Sequence, residues 1–152
     1  RMGYLICPPE ASSKIKGLIS QTTHHISLPI QYGMLAGIQN ATAFAKELRE
    51  DFRIKKEFLQ TRLAKIKDLN FVTPNGAFYF FCNVSEFVSK SNLSSAQLCE
   101  FLLNEHKLVT IPGDGFGLPG WIRLSYTCSM EQLPLAMDAF EKGLHQYRET
   151  LI

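Results

Sequence analysis

Toward the end of the chain, Pro112-Gly113-Asp114-Gly115-Phe116-Gly117-Leu118-Pro119-Gly120 sets four glycines and two prolines within nine residues and runs into Trp121-Ile122-Arg123-Leu124-Ser125-Tyr126. Such a loop is tight and shaped, since glycine opens backbone conformations closed to other residues and proline fixes its own. It delivers one arginine, Arg123, into an apolar strand. A guanidinium on a half-buried strand needs an anion, because buried arginine is almost always paired. Pattern alone leaves two accounts of Arg123 open: an ion pair with a carboxylate of the chain, or a site for an anionic ligand. Arginine suits the second role, because its planar fork meets a carboxylate through two parallel hydrogen bonds.

Other residue types capable of chemistry read as structural. His24 and His25 are adjacent but have no third ligand nearby, so no metal site is expected. Cys7, Cys82, Cys99 and Cys128 lie far apart with no C-x-x-C pair, the usage of buried thiols in a reducing compartment. The run Phe78-Tyr79-Phe80-Phe81 lacks the basic flanks of an RNA-stacking strand, and core packing is the expected use. The net charge is +2, with basic and acidic residues interleaved from Lys46 to Lys67, which argues against nucleic acid as a partner. No apolar run approaches a membrane span and the start lacks the order of a signal peptide, so the cytoplasm is expected.

These residues must be positioned by elements whose periodicity is legible. Tyr4 to Cys7 reads as a short buried strand stopped by Pro8-Pro9. A helix follows with Ala11, Ile15, Leu18 and Ile19 on one face; then comes the polar linker Gln21-Thr22-Thr23-His24-His25, and a second helix opens at Ser27 with Pro29 in its first turn. From Ala41 to Lys67 the apolar stripe Phe44, Leu48, Phe52, Leu59, Leu63 and Ile66 predicts a long amphipathic helix, able to bridge two packed bodies. Asn70 to Pro74 breaks that pattern, and Ala77 to Cys82 reads as a strand. Ser94 with Gln97 forms a capping box for a helix reaching about His106; Leu108 to Ile111 and Trp121 to Tyr126 read as strands. Ser129 with Gln132 caps a last helix carrying Leu133, Ala136, Met137, Phe140 and Leu144, in which Pro134 fits poorly. The order after Lys67 predicts a small two-layer α/β domain.

Gly-Ala-Phe-Tyr at 76 to 79, Ile-Pro-Gly-Asp-Gly-Phe-Gly at 111 to 117 and Ile-Arg-Leu-Ser-Tyr at 122 to 126, in this order and spacing, resemble the small domain of fold-type I aminotransferases. The aspartate aminotransferase branch is the nearest match. Arg1-Met2-Gly3-Tyr4 resembles the family's Arg-x-Gly-Tyr, which lies just after the lysine that forms the Schiff base with pyridoxal phosphate (PLP). The resemblance covers nearly the whole chain. It implies an α/β architecture made of the end of the large cofactor domain (1–39), an interdomain helix (40–68) and the small C-terminal domain (69–152). It implies that Arg123 grips the α-carboxylate of an amino-acid substrate and that Arg1 binds the PLP phosphate. Thr22 and Thr23 then fall in a stretch that approaches the cofactor site of the partner subunit in a homodimer.

The same resemblance implies that the Schiff-base lysine lies upstream of residue 1, so no catalytic residue is expected here. Lys14 and Lys16 fall on a helix after the first strand and do not match its position. The expected function is that of a C-terminal segment of an enzyme passing an amino group between an amino acid, aspartate or similar, and a 2-oxo acid, the segment itself being inactive. Two rivals stand beside it: a PLP lyase or synthase on the same scaffold, and a stand-alone small α/β binding domain.

Overall fold

The computed structural model describes residues 2–88 and 94–149. It forms two compact units, Arg1–Leu48 and Arg49–Ile152.

The first unit is helical. Helix α1 spans Pro9–Thr22 and α2 spans Leu28–Gln39; both carry proline in the first turn, where its missing N–H costs nothing. Ser27 stands at the cap position of α2, but its side chain makes no cap bond; its carbonyl accepts from Ile30 and Gln31 instead. Neither helix buries a residue. Two expectations are corrected here. Tyr4 to Cys7 is not a strand: Tyr4, Leu5 and Ile6 are exposed, and no described segment offers them a ladder partner. The linker is shorter than expected, because α1 runs on through Thr22.

Helix α3, Ala41–Leu63, ends four residues before Lys67, and the chain turns at Asp68 in a left-handed conformation. The second unit then builds a sheet from β1 (Asn70–Val72), β2 (Tyr79–Asn83), β3 (Ile111–Pro112) and β4 (Trp121–Ser125), antiparallel throughout in the order β1-β2-β4-β3. Helices α4 (Ser85–Val88), α5 (Ser95–His106) and α6 (Gln132–Glu149) complete it. The expected break at Asn70 to Pro74 is thus in part an edge strand, and the strand expected over Leu108 to Ile111 shrinks to Ile111–Pro112. Ser94 forms the full capping box of α5 with Gln97. The Ser129 hydroxyl accepts from the Gln132 N–H, and α6 begins at Gln132, so Pro134 lies in a first turn whose donors have no helical acceptor.

Alternation along the two central strands sorts their side chains. Phe80 and Cys82 of β2 and Ile122 and Leu124 of β4 enter one core with Leu59 and Leu63 of α3, Leu98 and Leu102 of α5, and Leu133, Met137, Phe140 and Leu144 of α6. Burial pushes the Cys82 thiol up to about 12, so it is inert as a nucleophile. Ion pairs fasten the outside of this core. Arg62 of α3 meets Asp138 at 2.6 Å and Glu141 at 3.3 Å on α6, and Arg148 of α6 meets Asp68 at 2.9 Å. The result is the two-layer α/β arrangement anticipated for this half of the chain.

Candidate functional site

The residues that alternate outward on the same strands make the candidate site. Register pairs Phe81 with Arg123, Asn83 with Trp121 and Tyr79 with Ser125, and on the other side of β4 pairs Ile111 with Arg123. Arg123 therefore stands between two neighbouring strands, on the face away from the helices, half-buried. Its guanidinium carbon lies 4.3 Å from the centroid of the Tyr79 ring and 4.8 Å from that of Phe116. Phe81 stacks on Trp121 at 5.4 Å and meets Phe116 edge-on at 5.9 Å, which extends the aromatic surroundings.

The loop before β4 is built to deliver Phe116. Gly113–Phe116 forms a single 3-10 turn, closed by Gly117 at φ 74 with its N–H donating to the Asp114 carbonyl. A Cβ on Gly113 would lie 2.8 Å from both the Cβ and the carbonyl oxygen of Trp121, so only glycine allows the turn to approach β4 this closely. The Ser95 hydroxyl, at the start of α5 and 1% exposed, donates to the Asp114 carboxylate.

Among the described residues, no carboxylate pairs with Arg123. The ion-pair account of Arg123 therefore finds no partner among the described residues. An arginine held by rings, with its hydrogen-bonding edge unmatched by an acid of the described residues, is equipped to receive an external carboxylate.

Arg1 lies outside the described residues. Thr22 and Thr23 are exposed in the first unit; the Thr22 hydroxyl donates to the Leu18 carbonyl at 3.0 Å. The sole buried lysine among the described residues, Lys55, is held by Asp51 at 2.6 Å. No group of three or more potential metal ligands occurs among the described residues. The reading of Phe78 to Phe81 as core packing holds for Phe80 alone: Tyr79 and Phe81 face the other way, beside Arg123. Period-two alternation could have found Tyr79, since it falls on the Arg123 face once β2 and β4 are paired in this register. Phe116, Asp114 and Ser95 had no such signal.

The profile of the family described as aminotransferase class I and II matches residues 1–140. The chain belongs to this family. A probable aspartate/prephenate aminotransferase of Aquifex aeolicus is 35% identical over 148 residues, covering 96% of this chain and 37% of that protein. The aspartate aminotransferase of Thermotoga maritima is 33% identical over 145 residues, covering 95% and 36%. Among solved structures, the aspartate aminotransferase from Thermus thermophilus with maleate matches with a TM-score of 0.79 at 29% identity, over 90% of this chain and 35% of that one. The chain thus spans little more than a third of the length of the relatives it matches. No helix among the described residues is long and apolar enough to cross a membrane.

Proposed function

We propose that this chain is the substrate-carboxylate-holding part of a PLP-dependent aminotransferase that moves an amino group between an amino acid, aspartate or a close analogue, and a 2-oxo acid. The observation carrying this reading is Arg123, half-buried, set by strand register and two rings, and without an acidic partner in the described chain. Family membership and relatives named for aspartate support the reaction class. The Thermus relative with maleate, a dicarboxylate, supports carboxylate recognition.

In this reading the Arg123 fork fixes the α-carboxylate through charge-assisted hydrogen bonds and so orients the carbon that must lose a proton. PLP, when bound, supplies the electron sink for that chemistry. Among the described residues, the Thr22 hydroxyl is engaged within α1, Thr23 is exposed, and Lys55 is tied to Asp51. Roles for Arg1, Thr22 and Thr23 toward the cofactor, the latter two across a homodimer, rest on the resemblance of their segments and on a family match that includes them. Residues 1–39 would complete a cofactor domain, 40–68 link it, and 69–152 close over the substrate to exclude water. The apolar helix α2, which buries none of its residues, supports a larger body around the first of these. A cytoplasmic setting rests on four cysteines without a pairing pattern.

The test is a product analysis of the full-length enzyme with aspartate and a 2-oxo acid. Stoichiometric exchange of amino and oxo groups is expected. Elimination, decarboxylation or carbon–carbon bond formation in place of exchange would move the protein to a lyase or synthase.

A further inference from the structure

Arg123 has a long side chain with many rotamers, and no acid of the described chain holds it in one of them. Something else must set its direction before a ligand arrives. The two groups over which it lies are fixed very differently. Tyr79 is part of β2, one strand away and set by the ladder. Phe116 sits at the end of a one-turn loop element, half-exposed and outside the sheet. A single turn of 3-10 helix has little stability of its own, so its ring position depends on what anchors the turn.

Three anchors are visible. Gly113 approaches Trp121 so closely that any side chain would push the turn off β4. Gly117 ends the turn in the left-handed conformation that glycine takes without strain. Asp114, between them, accepts from the Ser95 hydroxyl, which is buried at the start of α5 behind the full capping box of Ser94 and Gln97. The first turn of a helix favours a nearby carboxylate, which strengthens this tie. The path from the core helix α5 to Phe116 therefore runs through one side-chain hydrogen bond.

We propose that Asp114 and Phe116 are positioning residues for Arg123: the Ser95–Asp114 tie pins the Gly113–Phe116 turn, and Phe116 with Tyr79 holds the guanidinium so that its hydrogen-bonding edge is presented to a carboxylate. This rests on the proposed role of Arg123. Neither Asp114 nor Phe116 touches substrate in this account; both act through the arginine. Phe116 also limits water at the guanidinium, which raises the value of each hydrogen bond to the ligand.

The test reads Arg123 directly. In a ¹⁵N-labelled chain, ring currents should place the Arg123 Nε–H proton upfield of those of the other arginines. Phe116→Leu, at a half-exposed position outside the core, should return it toward the ordinary position. Asp114→Ala should do the same without touching either group, and Asp114→Asn, which keeps an acceptor for Ser95, should recover most of the shift. In the full-length enzyme, Asp114→Ala and Phe116→Leu should raise KM for the amino acid about tenfold with a smaller change in kcat, as expected when ground-state orientation is lost. A folded Asp114→Ala variant with an unmoved Arg123 signal and unchanged KM would overturn the proposal. So would a Phe116→Leu variant with both unchanged. If those variants are silent while Arg123→Leu still abolishes turnover, the positioning device fails and the role of Arg123 stands. If Arg123→Leu is itself silent, the role of Arg123 fails whatever the spectra show.

Discussion

At the scale of single residues, Arg123 is unusual for what it lacks. A half-buried cation without a carboxylate partner among the described residues contributes little to stability, and its two ring contacts are worth about 0.5–2 kcal/mol each. Replacing it by leucine removes those contacts but also relieves desolvation. Arg123→Leu should therefore leave unfolding free energy within about 1–2 kcal/mol of the parent in a denaturant titration, whereas breaking a buried ion pair costs about 3–5 kcal/mol. A loss of that larger size would mean that an acid of the chain was its partner after all. The arginine itself was legible from sequence, because one charge in the middle of an apolar strand is conspicuous. Its aromatic holders were not. Tyr79 stood inside an aromatic run that reads as uniform core, and only the pairing of β2 with β4 shows that alternate rings face opposite sides. Phe116 and Asp114 meet their partners through tertiary contacts that no local spacing encodes.

At the scale of elements, caps and close approaches set the frame on which the site is carried. The capping box of Ser94 and Gln97 satisfies donors at the start of α5, next to the Ser95 that holds Asp114. Ser94→Ala should cost about 1 kcal/mol in thermal or chemical unfolding; no measurable loss would mean that α5 is held by packing alone. Gly143 of α6 faces α5 so closely that a Cβ would clash with the fully buried Leu102 and come within 3.0 Å of His106. Gly143→Ala should destabilise by about 1–3 kcal/mol, the range for overpacking. The Arg148 hydrogen bond holds the Asp68 carboxyl below its ordinary 3.8. A lowered folded value means stabilisation that is present above about pH 4 and is lost as the pH falls through the folded value. Asp68→Asn should accordingly weaken the protein at neutral pH and have a shrinking effect as acid is added. An effect independent of pH would point to the turn geometry rather than the charge.

The elements best read from sequence were those with a local cause, such as the capping box of α5, the proline in the first turn of α2, and the helical stripe of α6. Those misread depended on neighbours. Tyr4 to Cys7 has strand composition but no described ladder partner, and Asn70–Val72, within a stretch read only as a break in the helical pattern, pairs with β2. Pro134 would be misplaced in a helix capped at Ser129, but α6 begins at Gln132 and holds it in the first turn.

At the scale of the whole molecule, every hydrophobic residue of the core lies between Leu59 and Tyr147, within the second unit, while α1 and α2 bury none. A chain beginning at Arg49 should then unfold cooperatively by calorimetry, as one core does. Loss of that transition on removing residues 1–48 would show that the core depends on them. The chain matches little more than a third of its relatives' length. Mixed with PLP and aspartate, it should give no amino-group transfer, and turnover would place the reacting groups within these 152 residues.

The claim on which the rest depends is that Arg123 holds the substrate's α-carboxylate. Its most direct test is kcat/KM of the full-length enzyme for several α-amino acids that differ only in side chain, compared between Arg123 and Arg123→Leu. Loss of a charge-assisted bidentate contact should lower kcat/KM by about 10²–10⁴ for every one of them, by a similar factor, because all share the carboxylate. An unchanged kcat/KM, or a loss confined to one side chain, would contradict the account.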